Sequence, residues 1–369
     1  MQKQLFMTSV SLNILPLSAW VPLHSERLFI AGPCSVESRE QLFETAEKIA
    51  AGKMVSVLRA GVWKPRSRPG HFEGKGREAL PWLQEVKQQT GLLTAVEVAQ
   101  PAHAELCLEY GVDILWLGAR TSVNPFMVQE IANAIRGTGM PVMIKNPVCP
   151  DLSLWIGAVE RIAMAGTTRL IAIHRGFKTH QKSSCRNVPL WDIPLKLKEE
   201  IPGIPVLCDP SHISGHKERI AEVAEKALSL DMDGLMIEAH HKPEEALTDP
   251  RQQITPAALN EMLQQLMHGR QYNDPRIKLQ CLRSLIDEKD HHMLELLAER
   301  LSLAKQIGVI KKETQTPVIQ SDRQNDILID RLQKGKNLGL DETFIKHLIE
   351  LLYRESVKTQ ENTRQCADE

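Results

Sequence analysis

Apolar residues in the first two thirds of the chain fall in short, nearly continuous runs. These begin near Leu28 (RLFIAGPC), Met54 (MVSVLRAG), Leu92 (LLTAVEV), Ile114 (ILWLGA), Pro141 (PVMIKN), Arg169 (RLIAIHRG), Pro205 (PVLCDPSH) and Gly234 (GLMIEAHH). A run without polar alternation is what a parallel strand buried on both faces requires. Between the runs, at 38–51, 101–110, 124–136, 153–165 and 215–229, apolar residues recur at helical spacing. Eight strand–helix units in about 240 residues predict a TIM (β/α)8 barrel. A doubly wound open sheet is the competing arrangement. Against it, no GxGxxG follows the first strand, and Gly74-Lys75-Gly76 lacks the spacing and ending of a Walker loop.

The pattern changes at 268. HGRQYND (268–274) reads as a linker, and Pro275 opens the next element. Positions 282, 286, 289, 293, 296, 300, 303, 307 and 310 then alternate steps of four and three. They read Leu, Ile, Lys, Met, Leu, Arg, Leu, Ile and Ile. That predicts one long helix with a packing seam, about 54 Å for 36 residues. A domain of this size does not bury such a helix alone, so a homodimer with intertwined helices is expected. Two shorter helices are expected near 322–335 and 341–361, with Gly335 and Gly339 marking the break. The expected division is a barrel over 1–267, a linker over 268–275 and an all-helical domain over 276–369.

Composition narrows the function. The net charge of −1 over 369 residues supplies no basic field for nucleic acid or a membrane surface. No apolar run reaches the length of a membrane span. Seven scattered cysteines without a CxxC pattern argue for a reducing, cytoplasmic location. The first twenty residues lack a clean apolar core, which leaves a signal peptide as the weaker alternative. Arg59, Lys64, Arg66, Arg68, Lys75 and Arg77 crowd one stretch. They read either as a solvated face or as a pocket for small phosphorylated anions.

Cys34, Arg59, Glu97, Arg120, Lys145, His174, Arg175, Asp209, His212, Glu238 and His240 all fall at or just past the carboxyl end of a predicted strand. In a barrel those ends form one mouth, where active sites are built. Cys34, His212, Glu238 and, in the following loop, Asp249 bear side chains suited to a divalent metal. A thiolate, an imidazole and two carboxylates suit Mn, Fe, Co or Zn better than Mg or Ca.

AGPCSVES (31–38), LRAGVWKPRS (58–67), GARTSVNPF (118–126), IKNP (144–147), HRGF (174–177), DPSH (209–212) and MIEAHHKPEEALTD (236–249) resemble, in order, the signatures of type I-beta DAHP (3-deoxy-D-arabino-heptulosonate 7-phosphate) synthases. The resemblance covers about 28–267. It implies metal-dependent condensation of phosphoenolpyruvate with erythrose 4-phosphate, releasing phosphate. It implies Cys34, His212, Glu238 and Asp249 as metal ligands. Arg59, Lys64, Arg120, Lys145 and Arg175 would hold phosphoenolpyruvate, whose phosphate and carboxylate suit planar arginine forks. Arg66, Ser67 and, in the sixth loop, Arg186 would take erythrose 4-phosphate. Arg68-Pro69-Gly70-His71 departs from the family pattern, so contacts there are left open. Lys64 is the candidate for proton transfer, and His240 for supporting the metal or a water.

LxxLR (279–283), LLAERLSLAKQIGVIKK (296–312), DRQ (322–324) and ESVKTQ (355–360) are similar to the all-helical chorismate mutases. Arg283, Arg300 and Arg323 would then bind the carboxylates of chorismate, with Arg283 reaching the site of the partner protomer. Lys311 and Gln360 would meet the ether oxygen, and Ser356 the ring carboxylate. Polar residues in a helix seam also serve for register or snorkel to solvent, which is the plainer account of Lys289 and Arg300. Gln320 and Gln324 stand where that family commonly has Asp and Glu, which would weaken their hydrogen bonds to substrate. Prephenate, the product of such a mutase, is expected to inhibit the barrel. The alternative is a barrel of the KDO 8-phosphate synthase type carrying a non-catalytic dimerisation or effector-binding module. Lys64-Pro65-Arg66-Ser67 argues against it, because that family uses an Asn-containing loop there.

Overall fold

The computed structural model describes residues 12–66, 68–179, 183–268 and 275–365. Two compact units divide the chain, one ending at Cys281 and the other beginning at Leu282. Of the expected linker at 268–275, residues 269–274 lie outside the described residues.

The first unit is a closed barrel of eight parallel strands in sequence order. They are β1 (Leu28–Gly32), β2 (Val57–Ala60), β3 (Leu93–Val98), β4 (Ile114–Leu117), β5 (Val142–Lys145), β6 (Leu170–His174), β7 (Val206–Cys208) and β8 (Gly234–Glu238). All eight coincide with the apolar runs. Helices α1 (Arg39–Ala51), α2 (Leu80–Thr90), α3 (Pro101–Glu109), α4 (Pro125–Ala134), α5 (Leu152–Met164), α6 (Asp192–Glu200), α7 (Pro210–Ser214), α8 (Ile220–Ser229) and α9 (Pro256–Met267) complete the unit. Their starts are written locally. Ser38, Asn124, Asp151, Asp209 and Thr255 each cap the amides of the helix they precede, satisfying donors that the first turn leaves free.

Leu28, Ile30, Val57, Ala95, Ile114, Trp116, Met143, Ile171, Ile173, Leu207 and Met236 fill the barrel. Leu17 and Val21 join this core below the strand starts, and the Leu15 amide donates to the Thr168 carbonyl ahead of β6. The amino-terminal segment therefore stoppers one end of the barrel and leaves the other for chemistry. Closure is tight. A Cβ on Gly32 would lie 2.1 Å from the Arg59 carbonyl oxygen, and one on Gly61 would lie 2.1 Å from that of Cys34. Glycine at these two positions lets the ends of β1 and β2 meet.

The second unit is helical. The 39-residue α10 (Pro275–Glu313) runs into it, followed by α11 (Ser321–Asn337) and α12 (Glu342–Gln365). Ala304 and Gly308 of α10 are buried, and a Cβ on Gly308 would sit 3.0 Å from the Gln360 Cα. Gly335 does not mark the break between the last two helices. It lies inside α11, where a Cβ would come within 2.7 Å of Ile345, so its smallness serves packing. Gly339, at φ +74°, occupies the break. The seam side chains Leu282, Ile286, Met293, Leu296, Leu303, Ile307 and Ile310 are all exposed within the protomer, Ile286 by 60% and Leu303 by 59%.

Candidate active sites in the barrel mouth and the helical unit

The carboxyl ends of the strands assemble a charged, largely buried cluster. Cys34 follows β1, Glu238 ends β8, and Asp249 lies in the loop after β8. Their donor atoms fall within 4.8 Å of one another. Cys34 Sγ is 3.6 Å from Asp249 Oδ2. His212, on α7 after β7, points Nε2 at Glu238 Oε1 from 3.8 Å and Nδ1 at Asp209 Oδ2 from 2.8 Å. The Asp209 carboxylate favours a proton on Nδ1, which leaves Nε2, facing Glu238, as the nitrogen able to take a metal. Burial lowers the His212 pKa, keeping the imidazole in the neutral form that ligation needs. Burial, Glu238 and Asp249 push the Cys34 thiol up to about 12. A cation among the same groups would reverse that balance, so the donor set fits a divalent transition metal.

Cations enclose the acids. Arg59, 1% exposed, brings Nη2 to 3.1 Å from Glu238 Oε1, and its guanidinium lies 5.1 Å from the Trp116 ring centroid. Lys145 Nζ is 2.7 Å from Asp209 Oδ2. Burial would raise Glu238, but His212, Arg59 and Lys64 outweigh it and hold the carboxyl at about 2. Asp209 is likewise held well below its ordinary value, with His212, Lys145 and Arg59 overcoming burial. Lys64 Nζ donates to the Cys34 carbonyl at 3.0 Å and lies 3.2 Å from its Sγ. Burial disfavours that ammonium, yet Cys34, Glu97 and Glu238 raise its pKa overall, so Lys64 keeps its proton. Among the described residues, buried Arg59 Nε and Nη1 have no hydrogen-bond partner, which leaves donors for an anionic ligand.

The remaining expected positions spread around the mouth. Arg175 donates to Asn187 Oδ1 at 2.9 Å, and Asn187 in turn donates to the His212 carbonyl at 2.6 Å. Arg120 donates to the Pro65 carbonyl, and Arg66 donates to the Phe72 carbonyl at 2.8 Å. Arg186 reaches Asp249 Oδ1 at 3.1 Å. His240 is buried, with Nε2 3.8 Å from Glu37 Oε2. Ser67 lies outside the described residues. His174, buried between Phe177 and Trp191, is pushed down to about 3 by burial. It is therefore neutral.

In the helical unit, Arg300 Nη1 donates to Ser356 Oγ at 2.5 Å and to the Leu352 carbonyl at 3.1 Å, joining α10 to α12. Burial and the nearby Arg331 lower the Arg300 pKa. Lys311 donates to the Val318 carbonyl at 2.8 Å. The buried Gln360 oxygen meets no donor among the described residues. Gln324 is half-buried and Arg323 exposed on α11. Arg283 is also exposed. It precedes Arg300 by seventeen residues on one helix, about 25 Å along the axis, so no fold of a single α10 brings the two together.

Comparison with known proteins settles the family. The DAHP synthetase I family matches residues 24–272, and the chorismate mutase type II family matches 282–361. The chain belongs to the DAHP synthetase I family. It is a DAHP synthase barrel fused to a chorismate mutase domain. Phospho-2-dehydro-3-deoxyheptonate aldolase of Thermotoga maritima is 31% identical to it over 237 residues, spanning 64% of this chain and 68% of the relative. The 2-dehydro-3-deoxyphosphooctonate aldolase of Nitratidesulfovibrio vulgaris is 25% identical over 62% of this chain and 86% of its own length. The crystal structure of the Thermotoga DAHP synthase superposes with a TM-score of 0.59 at 30% identity, over 65% of this chain and 68% of that one. A truncated form gives 0.57 at 28%, over 65% and 85%.

Several residues of the DAHP synthase mouth carry no role in the sequence reading: Asp209 beneath His212, Asn187 between Arg175 and His212, and Gln252 beside Glu238. Only Asp209, inside DPSH and at a strand end, left a signal.

Proposed function

We propose that the barrel condenses phosphoenolpyruvate with erythrose 4-phosphate to DAHP and phosphate, with a Mn, Co, Fe or Zn ion held by Cys34, His212, Glu238 and Asp249. The observation that carries this reading is the convergence of those donors beneath a ring of buried cations. Arg59, Lys64, Arg120, Lys145 and Arg175 hold the phosphate and carboxylate of phosphoenolpyruvate, and Arg66, Ser67 and Arg186 hold the sugar phosphate. Bound there, the ion supplies Lewis acidity to the sugar aldehyde. C3 of phosphoenolpyruvate forms the new bond to the aldehyde carbon, whose oxygen takes up a proton. Water adds at C2, and the phosphate leaves with the C–O bonding pair. Lys64 is placed to donate a proton, and His240 supports the metal-bearing loop. Metal-free protein should not consume either phosphate, and Mn or Co should restore turnover. Full turnover without metal contradicts the reading.

The 2-dehydro-3-deoxyphosphooctonate aldolases are the second reading, since the family relatives include them. Arabinose 5-phosphate in place of erythrose 4-phosphate separates the two. The Lys64-Pro65-Arg66 loop favours the shorter sugar.

The helical domain rearranges chorismate to prephenate. No nucleophile is needed: holding the reactive conformer and stabilising the departing ether oxygen is sufficient. Arg300, Arg323 and Ser356 hold carboxylates, Lys311 and Gln360 meet the ether oxygen, and Gln324 meets the hydroxyl. Arg283 comes from the partner in a homodimer formed over the exposed α10 seam. Prephenate at this site inhibits DAHP synthesis, by binding two states of the chain with different affinity. Inhibition should appear in the full chain and vanish in Arg300→Ala. Equal inhibition of that variant contradicts the regulatory reading.

A further inference from the structure

Asp249 is held in a left-handed backbone conformation, φ 47° and ψ 47°. A non-glycine residue stays there only when its surroundings impose it. It opens a single 3-10 turn, Pro250–Gln252, whose last amide donates back to the Asp249 carbonyl at 3.2 Å. The turn brings Gln252 inward until it is 1% exposed.

The Gln252 side chain is fully engaged. Its Nε2 donates to Glu238 Oε2 at 2.6 Å, and its Oε1 accepts from Arg186 Nη1, also at 2.6 Å. Chemistry fixes which end of the amide is which. A carboxylate accepts and a guanidinium donates, so a flipped amide would oppose like groups at both ends. The same Arg186 nitrogen reaches Asp249 Oδ1 at 3.1 Å. With Oε2 taken by the amide, Glu238 keeps Oε1 for the space shared with His212 Nε2 and Arg59. One planar, buried group thus sets the rotation of Glu238 and the reach of Arg186.

The next residue completes the bracket. Gln253, fully buried, accepts from the Cys34 amide at 2.9 Å and donates to the Thr248 carbonyl at 2.8 Å. Adjacent residues of the extended Gln253–Ile254 return therefore tie the Asp249 loop to β1 on one side and β8 on the other. Ile254 seals it by pairing with Ala239.

We propose that Gln252 is a positioning residue for the condensation: its amide holds Glu238 for the metal and Arg186 for the sugar phosphate at once, so that both subsites are built to one spacing. This rests on the metal and Arg186 roles proposed above. Replacing such a ligand-orienting partner typically costs on the order of 10- to 100-fold in metal affinity.

The test uses the full-length chain, stripped of metal. Gln252→Met preserves length and removes both hydrogen bonds. Titration with Co2+, followed by its thiolate charge-transfer band, should show affinity lowered by about tenfold or more. The KM for erythrose 4-phosphate should rise by about fivefold or more, while that for phosphoenolpyruvate stays within about twofold. The Tm of the barrel transition, measured alongside, reports whether the barrel remains folded. In the double variant with Arg186→Met, the KM for the sugar should be no worse than in Arg186→Met alone, because Gln252 reaches the sugar through Arg186. Unchanged Co2+ affinity, or equal rises in both KM values, overturns the proposal. If Arg186→Met alone leaves the sugar KM unchanged, the sugar role of Arg186 fails and the coupling with it. The Co2+ titration then decides separately whether Gln252 positions Glu238.

Discussion

The barrel mouth and the mutase domain meet anionic substrates in opposite ways. In the barrel, several cations already meet an acid: Arg59 with Glu238, Lys145 with Asp209, Arg186 with Asp249. These groups all come from one chain and are held by one another before any substrate arrives. In the helical unit, Arg300 turns to the Ser356 hydroxyl and the Leu352 carbonyl, the Gln360 oxygen is buried without a donor among the described residues, and Arg283 stands far along α10 among exposed apolar residues. In the homodimer proposed above, a second copy finishes the preorganisation there. A closed barrel encloses its own interior, whereas three helices enclose too little volume to bury a 39-residue helix.

The largest expected effect separates the two sites through the metal. Cys34→Ala should lower DAHP synthesis by roughly a thousandfold or more, the several kcal/mol of Lewis-acid stabilisation lost with the ion. Chorismate turnover should stay within about twofold, and Co2+ binding should vanish. Parallel loss of both activities would mean that the sites are not independent.

Next in size is Arg300→Ala. Removing a buried charged contact to substrate costs on the order of 2–5 kcal/mol, about 30- to 5,000-fold in chorismate kcat/KM. Steady-state kinetics with the phosphates should be unchanged. The Ser356 hydroxyl also loses its guanidinium donor, so a measured Tm tells loss of contact from loss of fold.

The smallest expected effect is a gain. Gln324→Glu restores a charged acceptor on α11, and hydrogen bonds to charged groups are stronger than neutral ones. Chorismate turnover should rise by a few-fold with barrel kinetics unaltered. A fall would place Gln324 outside the substrate contacts.

These comparisons also indicate where structure was legible in sequence. Each strand was visible because a strand buried on both faces, such as LIAIH of β6, has no polar option. The helices α2 and α6 were not. Pro81 and Pro194 sit in their opening turns, where a first turn has amides to spare. Gly335 misled, since a packing glycine and a terminating glycine are identical in sequence. Cys34, His212, Glu238 and Asp249 stood out by type and strand position. Gln252 and Asn187 did not, because their roles exist only in relation to partners far away in the chain.

The barrel groups lie on one chain, whereas the proposed mutase site is shared between two, and complementation separates these arrangements. Arg283→Ala and Arg300→Ala are each expected to be inactive toward chorismate. Unfolded together and refolded as a mixture, they form hybrids in about half of the dimers, each with one intact site. About a quarter of native chorismate turnover should return, with DAHP synthesis unchanged in every sample. If the mixture stays as inactive as its components, Arg283 does not act across the dimer and the shared site is wrong.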